Sequence, residues 1–195
     1  MTVGILLAAG AGSRFGGDKL LAPLHGKPLV QHAIDALRPA VTDIIAVVRP
    51  GSARLTALLA QAGARIAVCE EAAHGMGHSL ACGARLVPAG TNLLIALGDM
   101  PDIAPDTIAR VIAALDAGAQ IAVPCHRGRR GHPVGFAARL VPMLQQLTHD
   151  QGARSVLLAH ADAVLEIPVD DPGVLADVDT AADLARAADH VSARL

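Results

Sequence analysis

Short apolar runs alternate along this chain with segments whose apolar residues recur every three or four positions. Residues 4–8, 43–48, 65–69, 92–97 and 120–124 are nearly unbroken in apolar residues, which predicts strands buried on both faces, as in a parallel sheet. Between them lie helical patterns. Lys27-Pro28 opens one with Leu29, Ala33, Ile34 and Leu37 on a single face. Residues 52–61 form the next, with Ser52 as N-cap and Gly63 just past the end. Residues 76–86, with Leu80, Ala84 and Val87 inward, and 105–117 complete the set. After Cys125 the pattern changes. Residues 126–133 (HRGRRGHP) read as a basic glycine-rich loop, followed by short helices around 138–146 and 152–160, a strand at 163–169 and a helix at 180–190. Strands and helices that alternate across short loops predict an α/β fold: one domain of three α/β/α layers around an open, mostly parallel sheet. No linker, low-complexity tract or internal repeat divides it.

Composition narrows the partners. Of 195 residues 52% are apolar and 17% charged, enough for a full core. With two Phe and no Trp or Tyr, that core is aliphatic, and a stacking platform for nucleic-acid bases is excluded. The net charge of -2 removes bulk attraction for polyanions, so a phosphate site must be local. Cys69, Cys82 and Cys125 are widely spaced, which suggests small buried hydrophobes rather than a zinc knuckle or a disulfide framework. No run approaches the roughly 18–20 apolar residues of a membrane span. These features predict a cytoplasmic protein with no membrane or nucleic-acid partner.

The loop after the first strand reads LAAGAGSRFGGDK. In open α/β sheets ligands sit at the carboxyl ends of strands. Glycines there let backbone N–H groups approach an anion, and Gly10, Gly12, Gly16 and Gly17 fill that need. Arg14 and Lys19 add charge for phosphate oxygens. Two commoner cradles fail on single residues. A Walker A loop needs Ser or Thr after the lysine, and Leu20 follows Lys19. A dinucleotide fingerprint needs Gly at its sixth position, where Phe15 stands. Asp99, in Leu97-Gly98-Asp99-Met100-Pro101 at the end of the fourth strand, is placed to hold a hard cation such as Mg²⁺ or to form a turn.

A strand followed by LAAGxGxRxGxxK and then Lys27-Pro28-Leu29 resembles the N-terminal signature of the sugar-phosphate and cofactor nucleotidyltransferases. The resemblance implies a Rossmann-like sheet of the nucleotide-diphospho-sugar transferase type. It implies that Leu7, Ala8 and Ala9 lie beside the base and that 10–19, including Gly10, Gly12, Ser13, Arg14 and Lys19, wrap the triphosphate. LAAG rather than LAGG looks more like the pyrimidine users, CTP or UTP. Asp99 is implied as a Mg²⁺ ligand. Asp177-Val178-Asp179-Thr180 resembles a second acidic motif, with Ala181 in place of the usual Pro, and implies a second ligand at Asp179 first and Asp177 second. By residue type alone this segment is also an ordinary helix cap. Gly75, Gly77 and Ser79, at the start of a helix, are implied as contacts to base and ribose. His78 stands where Ser or Thr is common, and its role is open.

Arg129-Arg130-Gly131-His132-Pro133-Val134, a following Phe136, and Asp150-Gln151-Gly152-Ala153-Arg154 narrow the likeness to the molybdenum cofactor cytidylyltransferases within the MobA-like superfamily. It implies a nucleotide-binding half at 1–100 and an acceptor-binding half at 101–195, with Arg130, His132 and Arg154 as partners of a pterin phosphate. The expected reaction joins CMP from CTP to molybdopterin with loss of pyrophosphate. The resemblance implies Mg²⁺ as cofactor, Arg14, Lys19 and Asp99 as the residues that carry the chemistry, and a molybdoenzyme as the expected recipient of the product. Other donor–acceptor pairs stay open: GTP with molybdopterin, or CTP with a sugar or alcohol phosphate. So does a non-catalytic cofactor carrier. An oxidoreductase would need a nicotinamide or flavin site, for which the sequence has no fingerprint.

Overall fold

The computed structural model describes residues 1–10, 12, 15, 17–148 and 150–190, the last by its backbone alone. At the centre lies β1 (Thr2–Leu7), buried except at its final residue. Parallel partners flank it, β4 (Asp43–Val48) on one side and β6 (Asn92–Leu97) on the other, with Leu7 opposite both Val47 and Leu97. The sheet runs β10-β7-β9-β6-β1-β4-β5, with β5 (Arg65–Val68) and β10 (Val164–Pro168) at its edges. All but two of these pairings with neighbours along the sheet are parallel; the exceptions flank β9 (Val134–Phe136), which runs antiparallel between β6 and β7 (Ile121–His126).

Alternation along β1 divides the core. Leu6 and Ala8 face a layer with α1 (Leu29–Leu37), α2 (Ala53–Gln61) and α4 (Pro105–Asp116), where Ile34, Leu59 and Val111 are wholly buried. Val3, Ile5 and Ala9 face α3 (Met76–Ala84), α5 (Val141–Leu144) and α6 (Arg154–Ala159), with Leu80, Leu144 and Phe136 at the centre. Each such Leu, Ile or Phe contributes about 1.5–3 kcal/mol relative to exposure. Phe136 explains why three residues suffice for β9: its ring is fully enclosed and holds the short strand down. The cysteines fit the aliphatic core, Cys69 and Cys125 buried and Cys82 half-buried, all as free thiols. Burial, with Cys69 alongside, pushes the Cys82 thiol up to about 11.

The structure departs from the hydrophobic pattern where turns decide. Residues 126–133 are not a plain loop: β8 (Arg129–Arg130) pairs back on β7 as a hairpin, Cys125 opposite Arg130. Its two turn residues, Arg127 and Gly128, both have positive φ, 49° and 76°, as a primed turn requires. The same device, at His25 and Gly26, joins β2 (Pro23–Leu24) to β3 (Lys27–Pro28). Lys27 and Pro28 therefore belong to a hairpin, and α1 begins only at Leu29. Ser52 precedes α2 but does not cap it; its hydroxyl donates to the Arg49 carbonyl at 2.6 Å. The last helix, α7 (Ala181–His190), joins neither layer. It packs through Leu184 and Ala187 on Leu24, Leu29 and Val178, with Phe15 and Leu20 against the same cluster. That cluster ties the end of the chain to the glycine-rich loop.

Candidate nucleotide-binding crevice

Above the carboxyl ends of β1, β4 and β6 opens a cavity of about 750 Å³. Leu7, Ala8, Ala9, Gly10 and Gly12 line it, and so do Lys19 and Asp99. Ser13 and Arg14 lie outside the described residues. The loop folds on itself, Phe15 N donating to Gly12 O at 2.9 Å and Lys19 N to Gly17 O at 2.8 Å. Lys19 then starts a single 3₁₀ turn whose Leu20 sits in the cluster under α7. That anchorage aims the lysine inward.

Lys19 Nζ donates to Asp99 Oδ2 at 2.7 Å and to Asp179 Oδ1 at 3.0 Å. Residues 80 and 160 positions away thus share one ammonium. Backbone links set this up. Gly98 N donates to Leu7 O at 3.0 Å, which fixes the turn carrying Asp99. Val178 N donates to Asp99 O at 2.9 Å, which brings the acidic segment alongside. Thr180 and Asp183 then divide the capping work. Asp183 Oδ2 accepts from Thr180 N and Oγ1, both at 2.7 Å, while Asp183 N donates to Thr180 Oγ1 at 3.2 Å, a reciprocal capping box. Asp183 also accepts from Asp179 N at 3.1 Å and so orients it. Of the two acids left open by the sequence, Asp179 is the one that meets Lys19. Asp177 instead adds its charge near His132.

Burial of Lys19 works against its charge, but the hydrogen bonds and charges of Asp99 and then Asp179 outweigh it and raise the pKa above 10.5. The ammonium is therefore permanent at neutral pH. Two carboxylate oxygens within 3.0 Å of one cationic nitrogen are also a donor set for a hard divalent ion. No group of three or more metal-binding side chains occurs among the described residues.

The far wall comes from α3 and its approach. Gly75, Met76 and Ser79 line the cavity; Gly77 is buried in the helix and does not. His78 points elsewhere, its Nδ1 3.2 Å from Glu71 Oε2 and its ring edge-on to His74. Several lining residues escape sequence reasoning: Arg49, Ser52 and Arg54 after β4, Glu70 after β5, and Asp150. The strand-end rule that found the glycine loop applies equally to β4 and β5 and was the available signal. Asp150 was marked only as part of the 150–154 motif of the acceptor half, and its approach to this cavity depends on tertiary packing.

The three acceptor candidates do not share a site. Arg130 bonds Glu166 across the sheet edge, Nε to Oε1, at 2.7 Å. Arg154 is exposed at the start of α6, and none of the three lines the cavity. His132 is half-buried: desolvation lowers its pKa, only partly offset by Asp99 and Asp177, so its imidazole is neutral. Gly131 beside it is an architectural glycine. A Cβ there would lie 2.2 Å from Val174 O, and His132 N donates to that same oxygen at 2.9 Å.

A glycine-rich loop, a lysine and two carboxylates at the strand ends of a mostly parallel sheet define a nucleotide-handling α/β protein. The chain belongs to the MobA-like NTP transferase domain family, whose model matches residues 4–164. It is therefore a member of the nucleotidyltransferase superfamily. It is 31% identical over 191 residues to the purine catabolism protein PucB of Bacillus subtilis, covering 91% of each chain. It is 31% identical over 194 residues to nicotine blue oxidoreductase of Paenarthrobacter nicotinovorans, covering 94% of each. A 2-C-methyl-D-erythritol 4-phosphate cytidylyltransferase of Cereibacter sphaeroides shares 34% over 171 residues, 82% of this chain and 76% of that one. Among solved structures, Rv0371c of Mycobacterium tuberculosis H37Rv superposes with a TM-score of 0.85 at 30% identity, covering 96% of this chain and 97% of that one. Rv0371c has also been solved in complex with manganese, matching at TM-score 0.79 and 28% identity over 96% of this chain and 98% of that one. Molybdopterin-guanine dinucleotide biosynthesis protein A of Archaeoglobus fulgidus shares the fold, with a TM-score of 0.71 at 21% identity, covering 99% of this chain and 100% of that one. No helix among the described residues is long and apolar enough to cross a membrane.

Proposed function

We propose that this chain is a magnesium-dependent cytidylyltransferase that joins CMP from CTP to the phosphate of molybdopterin and releases pyrophosphate. The observation that carries the reading is the convergence of Asp99 and Asp179 on Lys19, beside a cavity that Lys19 and Asp99 line together with Ala8, Ala9, Gly10 and Gly12. Residues 1–100 supply nearly all of the lining, as the nucleotide half of one domain, and Asp150 comes from the second half. Ala9, which makes the loop LAAG rather than LAGG, favours a pyrimidine triphosphate, and the likeness to a cytidylyltransferase supports CTP among these.

An oxygen of the acceptor phosphate bonds to the α-phosphorus of CTP, and the bond from that phosphorus to the α–β bridging oxygen breaks, freeing pyrophosphate. A phosphate monoester is already ionised at neutral pH, so no base has to remove a proton. Lys19 offsets charge that grows on the leaving phosphates, and Arg14 is assigned the same work. Asp99 and Asp179 would hold Mg²⁺, which supplies charge neutralisation across the phosphate oxygens. The neutral His132 would offer a single N–H donor to the acceptor rather than a charge. Catalysis is then positioning plus electrostatics.

The test is pyrophosphate release from the purified chain with molybdopterin, Mg²⁺ and each of CTP, GTP, UTP and ATP in turn. CTP is expected to dominate. Dominance of GTP, or turnover only with a sugar or alcohol phosphate, replaces the donor or acceptor; binding of molybdopterin with no pyrophosphate release makes the chain a carrier. One observation favours a second reading: nicotine blue oxidoreductase is as similar as PucB over slightly more of the chain. Oxidation of a reduced nicotinamide by the purified chain would move the function to that class.

A further inference from the structure

The motif Asp150-Gln151-Gly152-Ala153-Arg154 begins, by resemblance, as part of the acceptor site, and Arg154 does stand at the surface. Its first residue is placed differently. Asp150 lines the nucleotide cavity, and its Oδ1 accepts from the backbone N of Met76, the first residue of α3, at 3.4 Å. Two glycines build this approach. Gly75 has φ +129°, and a Cβ on it would come within 2.6 Å of Asp150 Cα. A Cβ on Gly152 would meet Met76 Sδ at 3.0 Å. Segments 75–76 and 150–152 therefore interlock, and the interlock sets the Asp150 carboxylate at the cavity wall.

The cavity has two chemical ends. Gly12, Gly17, Lys19 and Asp99 gather the groups that suit phosphates and a cation. Ala72, Met76 and Ser79 form the other wall, and Ala72 shares an apolar cluster with Ala9. Asp150 belongs to this second end. An ionised carboxylate only accepts hydrogen bonds, so it repels a triphosphate and selects for donors. A nucleoside carries two kinds: the ribose hydroxyls, and the exocyclic amine that cytosine has where uracil has a carbonyl. The 3.4 Å contact to Met76 is at the long limit of a hydrogen bond and uses only Oδ1, and Asp150 is an exposed residue of the cavity lining, so its carboxylate keeps accepting capacity for a ligand there.

We propose that Asp150 is a specificity residue for the nucleoside end of the donor, accepting a hydrogen bond from the ribose 2′-hydroxyl or from the base amine. The proposal rests on the crevice being the nucleotide site. Titration calorimetry with Mg²⁺ and CTP, dCTP or UTP tests it on the wild type, Asp150→Ala and Asp150→Asn. The wild type is expected to prefer CTP over dCTP or over UTP, and D150A to shrink that preference by about tenfold or more. A change confined to the dCTP comparison assigns the ribose; one confined to UTP assigns the amine. D150N keeps the shape and part of the accepting capacity and is expected to fall between. Normal CTP binding with both ratios unchanged in D150A overturns the proposal and leaves the nucleotide site standing. A uniform loss for all three ligands overturns it too, since it marks a merely structural role. A wild type that binds no triphosphate overturns the nucleotide site itself, and this proposal with it.

Discussion

Replacing Lys19 with Met is expected to make the protein bind a divalent cation more tightly and transfer nucleotides worse. The ammonium bonds Asp99 at 2.7 Å with side-chain exposures of only 12% and 23%, so that pair counts as a charged hydrogen bond of about 1.5–3 kcal/mol. Asp179 is 39% exposed, and its 3.0 Å contact falls on the surface scale of about 0–1 kcal/mol. Together the lysine holds the two acids with about 1.5–4 kcal/mol. A divalent cation must take over the same oxygens. If it forgoes half of that interaction in the wild type, Lys19→Met should bind it about 3–30 times more tightly, at tenfold per 1.4 kcal/mol. Turnover should move the other way, by about 10²–10³, the scale of a lost oxyanion donor. Titration of Mn²⁺ followed by electron paramagnetic resonance, without nucleotide, reads the first effect, and single-turnover pyrophosphate release reads the second. The methionine keeps the length and the apolar stem, so the fold is spared. Equal or weaker Mn²⁺ binding in the variant would refute the argument, because the ammonium would then not be competing for the carboxylates.

Two further outcomes concern stability. His132 has its pKa lowered by burial, below the 6.5 it regains on unfolding, so the unfolded chain takes up the proton first as pH falls. Stability is complete above 6.5 and declines as pH drops from there toward the folded value; denaturant melts at pH 7.5 and 5 should show a smaller decline for His132→Asn, and an identical decline would count against the assignment. Asp171, 4% exposed, accepts from Ala104 N at 2.9 Å, Thr107 Oγ1 at 2.7 Å and Gly173 N at 3.1 Å, which fastens the start of α4. Asp171→Ala leaves those donors buried and should cost about 3 kcal/mol, a fall in Tm of about 6–12 °C by calorimetry; a shift under 2 °C, roughly the effect of a surface change, would refute it.

The sequence by itself determined the layers. Short continuous apolar runs bounded by turn residues read as strands covered on both sides, and the 3.6-residue stripes at 29–37, 52–61 and 105–117 read as helices on that sheet. It also placed the glycine-rich loop and Lys19 at the carboxyl end of the first strand, where the crevice opens, because strand-end position is a local reading. Turn geometry was legible in principle, since Arg127-Gly128 and His25-Gly26 mark primed hairpin turns, but a run of basic residues hid the first and a proline after Lys27 hid the second. Only the tertiary structure decided the rest. Asp177 and Asp179 are equivalent as letters; the capping box of Thr180 and Asp183, with the Val178–Asp99 link, turns Asp179 to Lys19. Arg130, His132 and Arg154 look alike as phosphate partners, yet one is bonded to Glu166, one is half-buried and neutral, and one is on the surface. Asp150 joined the cavity through two glycines far apart in the chain. Contacts across such distances follow from how surfaces pack, and the physics that fixes them is not written in any local stretch of residues.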